Sequence, residues 1–132
     1  MITGVHVIVH NKQPDKLRIF FRDVLGFPFV DAGHDWLIFA LPPGELGIYP
    51  TREEGSHELY LLTDNLAGMV AELQAKGVEV AEPVSEQPWG LLATIRIPGD
   101  DVLRIYEPRH PTAIGLYQAS AQNSTRAGRT GA

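Results

Sequence analysis

A four-residue pattern occurs twice in this chain and relates its two halves. Leu46-Gly47-Ile48-Tyr49 in the first half is matched by Leu103-Arg104-Ile105-Tyr106 in the second. Each copy ends a block with the same order of predicted elements: a strand, a helix that ends at glycine, and further strands. An internal repeat indicates that one supersecondary unit is used twice. Such neighbouring units bury their apolar faces against each other. We therefore predict two related modules that share one core.

Hydrophobic periodicity places a helix in the first half. Residues 4–10 alternate like a strand, and Pro14 favours the start of a helix. Apolar positions 17, 20, 21, 24 and 25 then form a helical stripe, which Gly26 ends as a left-handed cap. Strands are predicted at residues 27–31, 36–41 and 45–49, separated by glycine and proline turns.

The second half repeats this order. Residues 58–63 form a predicted strand, and Asp64 or Asn65 can cap a helix that starts at Leu66. Gly77 closes that helix, and strands are predicted at residues 78–81, 90–97 and 102–107. We therefore predict an α+β fold with two βαβββ modules, residues 1–50 and 51–108. Residues 109–132, rich in small polar side chains, are predicted to form a C-terminal tail within one structural domain.

Composition excludes several classes of function. The net charge of −5, from 16 acidic and 11 basic residues, argues against nucleic-acid binding, which requires Lys and Arg to neutralise phosphates. The chain has no cysteine, so disulfides, thiolate nucleophiles and Cys-ligated zinc are excluded. The chain contains no run of about 18 apolar residues, so no membrane-spanning helix is predicted. Without a basic, apolar leader at the N-terminus, a cytoplasmic location is expected.

Several motifs resemble those of the vicinal oxygen chelate superfamily, which includes glyoxalases, bleomycin resistance proteins and extradiol dioxygenases. They are His6 in the first strand, Phe20-Phe21-Arg22-Asp23-Val24-Leu25-Gly26-Phe27 at the helix end, Lys76-Gly77-Val78, Pro88-Trp89-Gly90, and Leu103-Arg104-Ile105-Tyr106-Glu107-Pro108. The resemblance covers about residues 3–108 and implies that the modules curl into a cup-shaped mixed sheet. A ligand would be held in the cup between the modules. Fold alone does not fix the chemistry.

The resemblance also implies where a metal would be bound in this fold. His6 and Glu58 match the first two ligand positions, but the third position is occupied by Arg104 in one module and Gly47 in the other. Glu45 lies on the predicted strand of Gly47 and could supply a substitute carboxylate. We therefore expect no metal or other cofactor, and if a divalent metal is bound, His6, Glu58 and Glu45 are its expected ligands.

Strand alternation predicts which side chains line the cup. Tyr49, Tyr60 and Tyr106 should share a face with Gly47, Glu58 and Arg104, and aromatic walls with few polar groups are typical of small-molecule pockets. Arg104 can either pair with Glu58 or receive an oxygen of a ligand. The residues predicted to bind ligand are His6, Ile8, Trp36, Tyr49, Glu58, Tyr60, Trp89, Arg104 and Tyr106.

Three functions remain open on the sequence. The chain could be a small-molecule-binding protein or a metal-independent enzyme, in which case His6 and Glu58 are the candidate catalytic residues. It could be a metal-dependent dioxygenase or glyoxalase-like lyase that uses the same two residues. It could also be a resistance protein that sequesters a drug without catalysis. A small molecule is the expected partner, and we expect a homodimer because long sheet edges are normally covered.

Overall fold

The computed structural model describes residues 6–48 and 50–116, and this part of the chain is α+β. The elements in chain order are α1 (Pro14–Ile19), which continues as a π-helical turn (Phe20–Val24), β1 (Phe29–Asp31), β2 (Leu37–Phe39), β3 (Tyr60–Leu62), α2 (Leu66–Ala75), β4 (Val80–Gln87), β5 (Gly90–Ile97) and β6 (Asp101–Pro108). The predicted helices are confirmed. No helix within the described ranges is long and apolar enough to cross a bilayer.

The second half forms a four-stranded mixed sheet in the order β3-β6-β5-β4. β3 runs parallel to β6, whereas β5 pairs antiparallel with both β6 and β4. α2 packs on one face of this sheet, and the buried core joins both helices to the central strands. Each buried Leu, Ile or Phe side chain contributes about 1.5–3 kcal/mol through removal from water. The core comprises Leu17, Phe20, Phe21, Leu66, Val70, Leu73, Ala93, Ile95, Ile97, Leu103 and Ile105.

The turn at Gly99 sets the register of β5 and β6. Gly99 has φ +91° and Asp100 has φ +56°, and the pairing begins with Ile97 opposite Asp101. Because side chains alternate across a strand, Leu103 and Ile105 point to α2 while Arg104 between them points to the other face. This register therefore decides which side chains belong to the core and which face away from α2.

Two contacts hold the start of α2. The Asn65 side chain accepts a hydrogen bond from the Gly68 N–H at 3.1 Å, and Glu107 Oε1 accepts one from the Leu66 N–H at 3.0 Å. The first four N–H groups of a helix lack intrahelical partners, so these acceptors satisfy two of them. Glu107 lies on β6, and α2 is therefore fixed to the end of that strand.

The predicted strands at residues 4–10 and 45–49 are wrong for the residues that the structure describes. Residues 6–10 and 45–48 form no strand, and Leu46 and Ile48 are 85% and 86% exposed. Alternation of apolar and polar residues indicates that a segment could have the two faces of a strand, but it does not identify a partner strand. A strand forms only where its backbone N–H and C=O groups are paired with those of a neighbour. The first half contributes one β-hairpin, β1–β2, with Phe29 opposite Phe39. The C-terminal tail beyond residue 116 lies outside the described residues.

We predict that Gly90→Ala will destabilise the protein. Gly90 has φ +151°, and a Cβ there would collide with the carbonyl oxygen of Glu107 on the paired strand. The expected loss of unfolding free energy is about 2 kcal/mol or more, measured by chemical denaturation. Gly44→Ala is the control, since nothing lies within 4 Å of its Cβ position, and it should change stability by less than about 0.5 kcal/mol. Equal effects of the two substitutions would contradict the prediction.

Candidate ligand-binding face

The face of the four-stranded sheet opposite α2, here called the cup face, carries a row of polar side chains. Tyr60 on β3, Arg104 on β6, Thr94 on β5 and Glu82 on β4 are neighbours in the strand pairing. Paired residues on neighbouring strands direct their side chains to the same side of a sheet. The cup-face positions that the sequence predicted for Tyr60, Arg104 and Tyr106 therefore agree with the strand pairing.

An aromatic cluster lies beside this row, and Tyr106 is its centre. The Trp89 ring lies 5.0 Å from the Tyr106 ring at 84°, and the Tyr60 ring lies 5.7 Å from it at 82°. The His110 ring is 6.1 Å away on the same tyrosine. Edge-to-face packing of this kind presents aromatic surface while adding a favourable contact between rings. We call Tyr60, Trp89, Tyr106 and His110 the aromatic cluster.

Glu45 connects the first half of the chain to this cluster. Its Oε2 accepts a hydrogen bond from the Ala113 N–H at 2.7 Å. Its Oε1 lies 3.5 Å from the Tyr106 hydroxyl, which donates to it, and 4.0 Å from His110 Nε2. The Glu45 side chain is mostly buried, so these contacts replace its lost hydration. Glu45 therefore holds the segment after β6 against the loop after β2.

Glu58 and Arg104 do not form the salt bridge that the sequence allowed. The Tyr60 hydroxyl donates a hydrogen bond to Glu58 Oε2 at 3.1 Å, and Glu58, which precedes β3, is exposed. Arg104 is exposed on the cup face and makes no ion pair with any residue in the described ranges. The Arg104 guanidinium is therefore available to another group.

Thr94 is a second polar group of the cup face without a partner. Its residue is only 3% exposed, and its Oγ1 has no hydrogen-bond partner among the described residues. A buried hydroxyl without a hydrogen bond is destabilising, and native structures contain few of them. Thr94 was not predicted from the sequence, although counting back from the Gly99 turn places it opposite Arg104.

The other predicted ligand-binding residues do not join the cluster. His6 and Ile8 are exposed in the segment before α1 that forms no strand. Trp36 lies at the β1–β2 hairpin, where the Arg18 guanidinium stacks 4.3 Å above its ring. Tyr49 lies outside the described residues. His110, which lies in the predicted C-terminal tail, is half-buried against Tyr106.

If a metal were bound, the resemblance would make His6, Glu58 and Glu45 its ligands, but these residues do not fit one. No group of three His, Asp or Glu side chains with suitable spacing occurs within residues 6–48 and 50–116. Glu45 is engaged with Ala113 and Tyr106, and Glu58 with Tyr60. Arg104 adds a fixed positive charge on the same face, which opposes binding of a cation. We therefore derive no step through a metal from these residues.

The resolved pKa shifts belong to a surface pair outside the cup face. Hydrogen bonds from the Arg22 guanidinium, at 2.7 and 2.9 Å, lower the pKa of Asp23, and the same contact raises the pKa of Arg22. Both side chains are exposed on the π-helical turn that follows α1, where solvent weakens such pairs. This pair therefore marks no catalytic centre.

The chain belongs to the glyoxalase/bleomycin resistance protein/dioxygenase superfamily. The model of that family matches residues 4–110, and the α+β architecture described above is the fold of its members. This confirms the resemblance drawn from the helix-end and last-strand motifs. No curated protein matches the chain in sequence.

Solved structures with the same fold bear different descriptions. An antibiotic binding protein from Streptomyces sp. CB03234 is 28% identical, with a TM-score of 0.60, and the match covers 81% of this chain and 97% of that one. A lactoylglutathione lyase from Agrobacterium tumefaciens is 16% identical, with a TM-score of 0.58 and coverage of 80% and 92%. A superfamily member from Sphaerobacter thermophilus is 21% identical, with a TM-score of 0.55 and coverage of 80% and 98%. The latter two matches show the fold alone.

We predict that Glu45→Ala will destabilise the protein by about 1–2 kcal/mol, because it leaves the Ala113 N–H without its charged acceptor. Glu58→Ala removes an exposed carboxylate and should cost less than about 0.5 kcal/mol. Urea denaturation followed by circular dichroism measures both. A smaller loss for Glu45→Ala than for Glu58→Ala would show that the Glu45 contacts do not stabilise the fold.

Proposed function

We propose that this chain is a small-molecule-binding protein that holds an aromatic ligand on the cup face without catalysing its conversion. The observation that carries the proposal is the aromatic cluster around Tyr106, which adjoins the polar row of Tyr60, Arg104 and Thr94. Flat apolar rings beside a few directed polar groups recognise a small aromatic molecule through stacking and orientation.

The distribution of titratable groups favours binding over turnover. The candidate catalytic residues His6 and Glu58 are both exposed, and no hydrogen bond joins His6 to a described residue. A general base needs to lie within hydrogen-bond reach of the proton that it removes, on a positioned side chain. The antibiotic binding protein that resembles this chain at 28% identity supports the same proposal. Sequestration of a toxic aromatic compound is therefore the role that we favour.

The proposal predicts that Trp89 will report ligand binding. The chain contains two tryptophans, so Trp36→Phe leaves Trp89 as the sole indole fluorophore, and Trp89→Phe leaves Trp36. Titration with 1,4-naphthoquinone, a neutral aromatic quencher, should give saturable quenching in the parent and in Trp36→Phe. The Trp89→Phe variant should show only the weak, linear quenching of an exposed fluorophore.

Saturable quenching that remains in Trp89→Phe would place the ligand on the β1–β2 hairpin instead. Linear quenching in all three proteins would remove the support for a binding site on the cup face. Circular dichroism of each variant establishes that the fold is retained before the titrations are compared.

We also propose that two copies form a homodimer in which the modules at residues 1–50 and 51–108 are completed across subunits. The structure exposes several apolar side chains of segments that the sequence predicted as strands, namely residues 7–9, Leu46 and Ile48. β3 pairs only with β6 among the described strands, which leaves its other edge unpaired. In a symmetric dimer, the unpaired strand edge and the apolar segments of one chain can be covered by the same features of a second copy.

Sedimentation velocity at micromolar concentration should show a dimer for the parent chain. Ile48→Asp places a charge in the proposed interface and should shift the protein to a monomer with an unchanged circular dichroism spectrum. Ile19→Asp, at an exposed position of α1, is the control and should remain dimeric. A monomeric parent would overturn the dimer without affecting the proposed ligand site.

A further inference from the structure

We propose that Arg104 and Thr94 form a recognition site for the carboxylate of an aromatic acid. This inference rests on the proposed function, since it names the chemical class of ligand that the cup face receives. Arg104 and Thr94 are directly opposite each other in the β5–β6 pairing, so their side chains leave the sheet on the same face. Together they offer a guanidinium and a hydroxyl as donors to one acceptor group.

Arg104 differs from the arginines whose charges are already matched. Arg18, Arg22, Arg96 and Arg109 each lie within 4.0 Å of a carboxylate, namely Asp15, Asp23, Glu79 and Glu86 respectively. Arg104 occupies the middle of β6 and has no such partner among the described residues. A planar guanidinium binds a carboxylate through two parallel hydrogen bonds, which gives direction as well as affinity.

Thr94 gives the second, independent observation. Its hydroxyl is buried and has no hydrogen-bond partner in the described part of the chain. The long Arg104 side chain is exposed and has no ion pair among the described residues, so it can turn towards a ligand on the same face as Thr94. A ligand oxygen that accepts a hydrogen bond from Thr94 would remove the cost of the unpaired group.

The neighbouring residues define the rest of the ligand. Tyr60 pairs with Arg104 across the strands, and Tyr106 follows it two residues later on the same face. A ring joined to the carboxylate would therefore lie against the aromatic cluster. Glu82 flanks Thr94 on the other side, where its negative charge disfavours a second anionic group. These constraints favour an aromatic acid with one carboxylate over a dianion.

The experiment compares 2-naphthoate with 2-naphthamide, which has the same rings but no charge. Isothermal titration calorimetry of the parent should give at least about tenfold tighter binding of 2-naphthoate, because a charge-assisted hydrogen-bonded pair is lost with the amide. Arg104→Gln should remove this difference by weakening 2-naphthoate alone. Arg96→Gln is the matched control, since it removes an equal charge from the cup face at a residue already paired with Glu79, and should change affinity less than about twofold.

Thr94→Val separates recognition from stability. Valine keeps the branched shape but removes the unpartnered hydroxyl, so the free protein should melt about 3 °C higher while binding 2-naphthoate about threefold more weakly. A lower melting temperature would show that the hydroxyl has a structural partner and would overturn its role in recognition.

The outcomes distinguish this inference from the proposed function. Equal binding of the acid and the amide, unchanged by Arg104→Gln, would leave the cup face as a ligand site but overturn carboxylate recognition. Binding of neither compound, together with unsaturable quenching by 1,4-naphthoquinone, would overturn both. If Arg104→Gln fails to fold, Arg104→Lys keeps the charge without the planar guanidinium and should still weaken 2-naphthoate selectively. Unchanged acid affinity in that variant would contradict bidentate recognition.

Discussion

The pairing of β5 with β6 is the constraint on which the rest of the structure depends. It starts at the Gly99 turn and runs without a shift from Ile97 opposite Asp101 to Gly90 opposite Pro108. This register buries Leu103 and Ile105 against α2 and directs Arg104 and Tyr106 to the cup face. A slip of one residue would exchange these two sets, since the side-chain period of a strand is two. Core packing and the candidate site are therefore fixed by the same hydrogen bonds.

The second half of the fold could be predicted because its signals are local. The Asn65 cap and the glycine that ends α2, Gly77, each act over a few residues, and each has the predicted place in the structure. In the first half, residues 6–10 and 45–48 have the composition of strands, but they pair with no strand within the described part of the chain. Strand formation depends on a distant partner, and composition does not identify that partner. The prediction therefore failed where the pairing is not local.

The candidate site divides in the same way. Tyr60, Arg104 and Tyr106 were assigned to one face by alternation, which needs only the strand register. The contacts of Glu45 with Ala113 and His110 join residues about half the chain apart, and no local pattern indicates them. Alternation also left open a pairing of Glu58 with Arg104. The structure has a different contact, in which the Glu58 carboxylate accepts a hydrogen bond from the Tyr60 hydroxyl.

Arg104 links the fold of this superfamily to the function proposed for this chain. The resemblance places Arg104 where metal-dependent relatives have a carboxylate ligand. Arg104 therefore brings a positive charge that is covalently attached to the chain to the place where those relatives hold a metal ion. A guanidinium donates hydrogen bonds in a fixed plane, but it has no open coordination position at which a substrate or water can be exchanged. It can therefore orient and neutralise an anion, yet it does not supply the Lewis acidity on which metal-dependent chemistry relies. With the aromatic cluster beside it, Arg104 offers recognition of an anion without Lewis acidity, which is the physical reason to favour binding over turnover in the function that we propose.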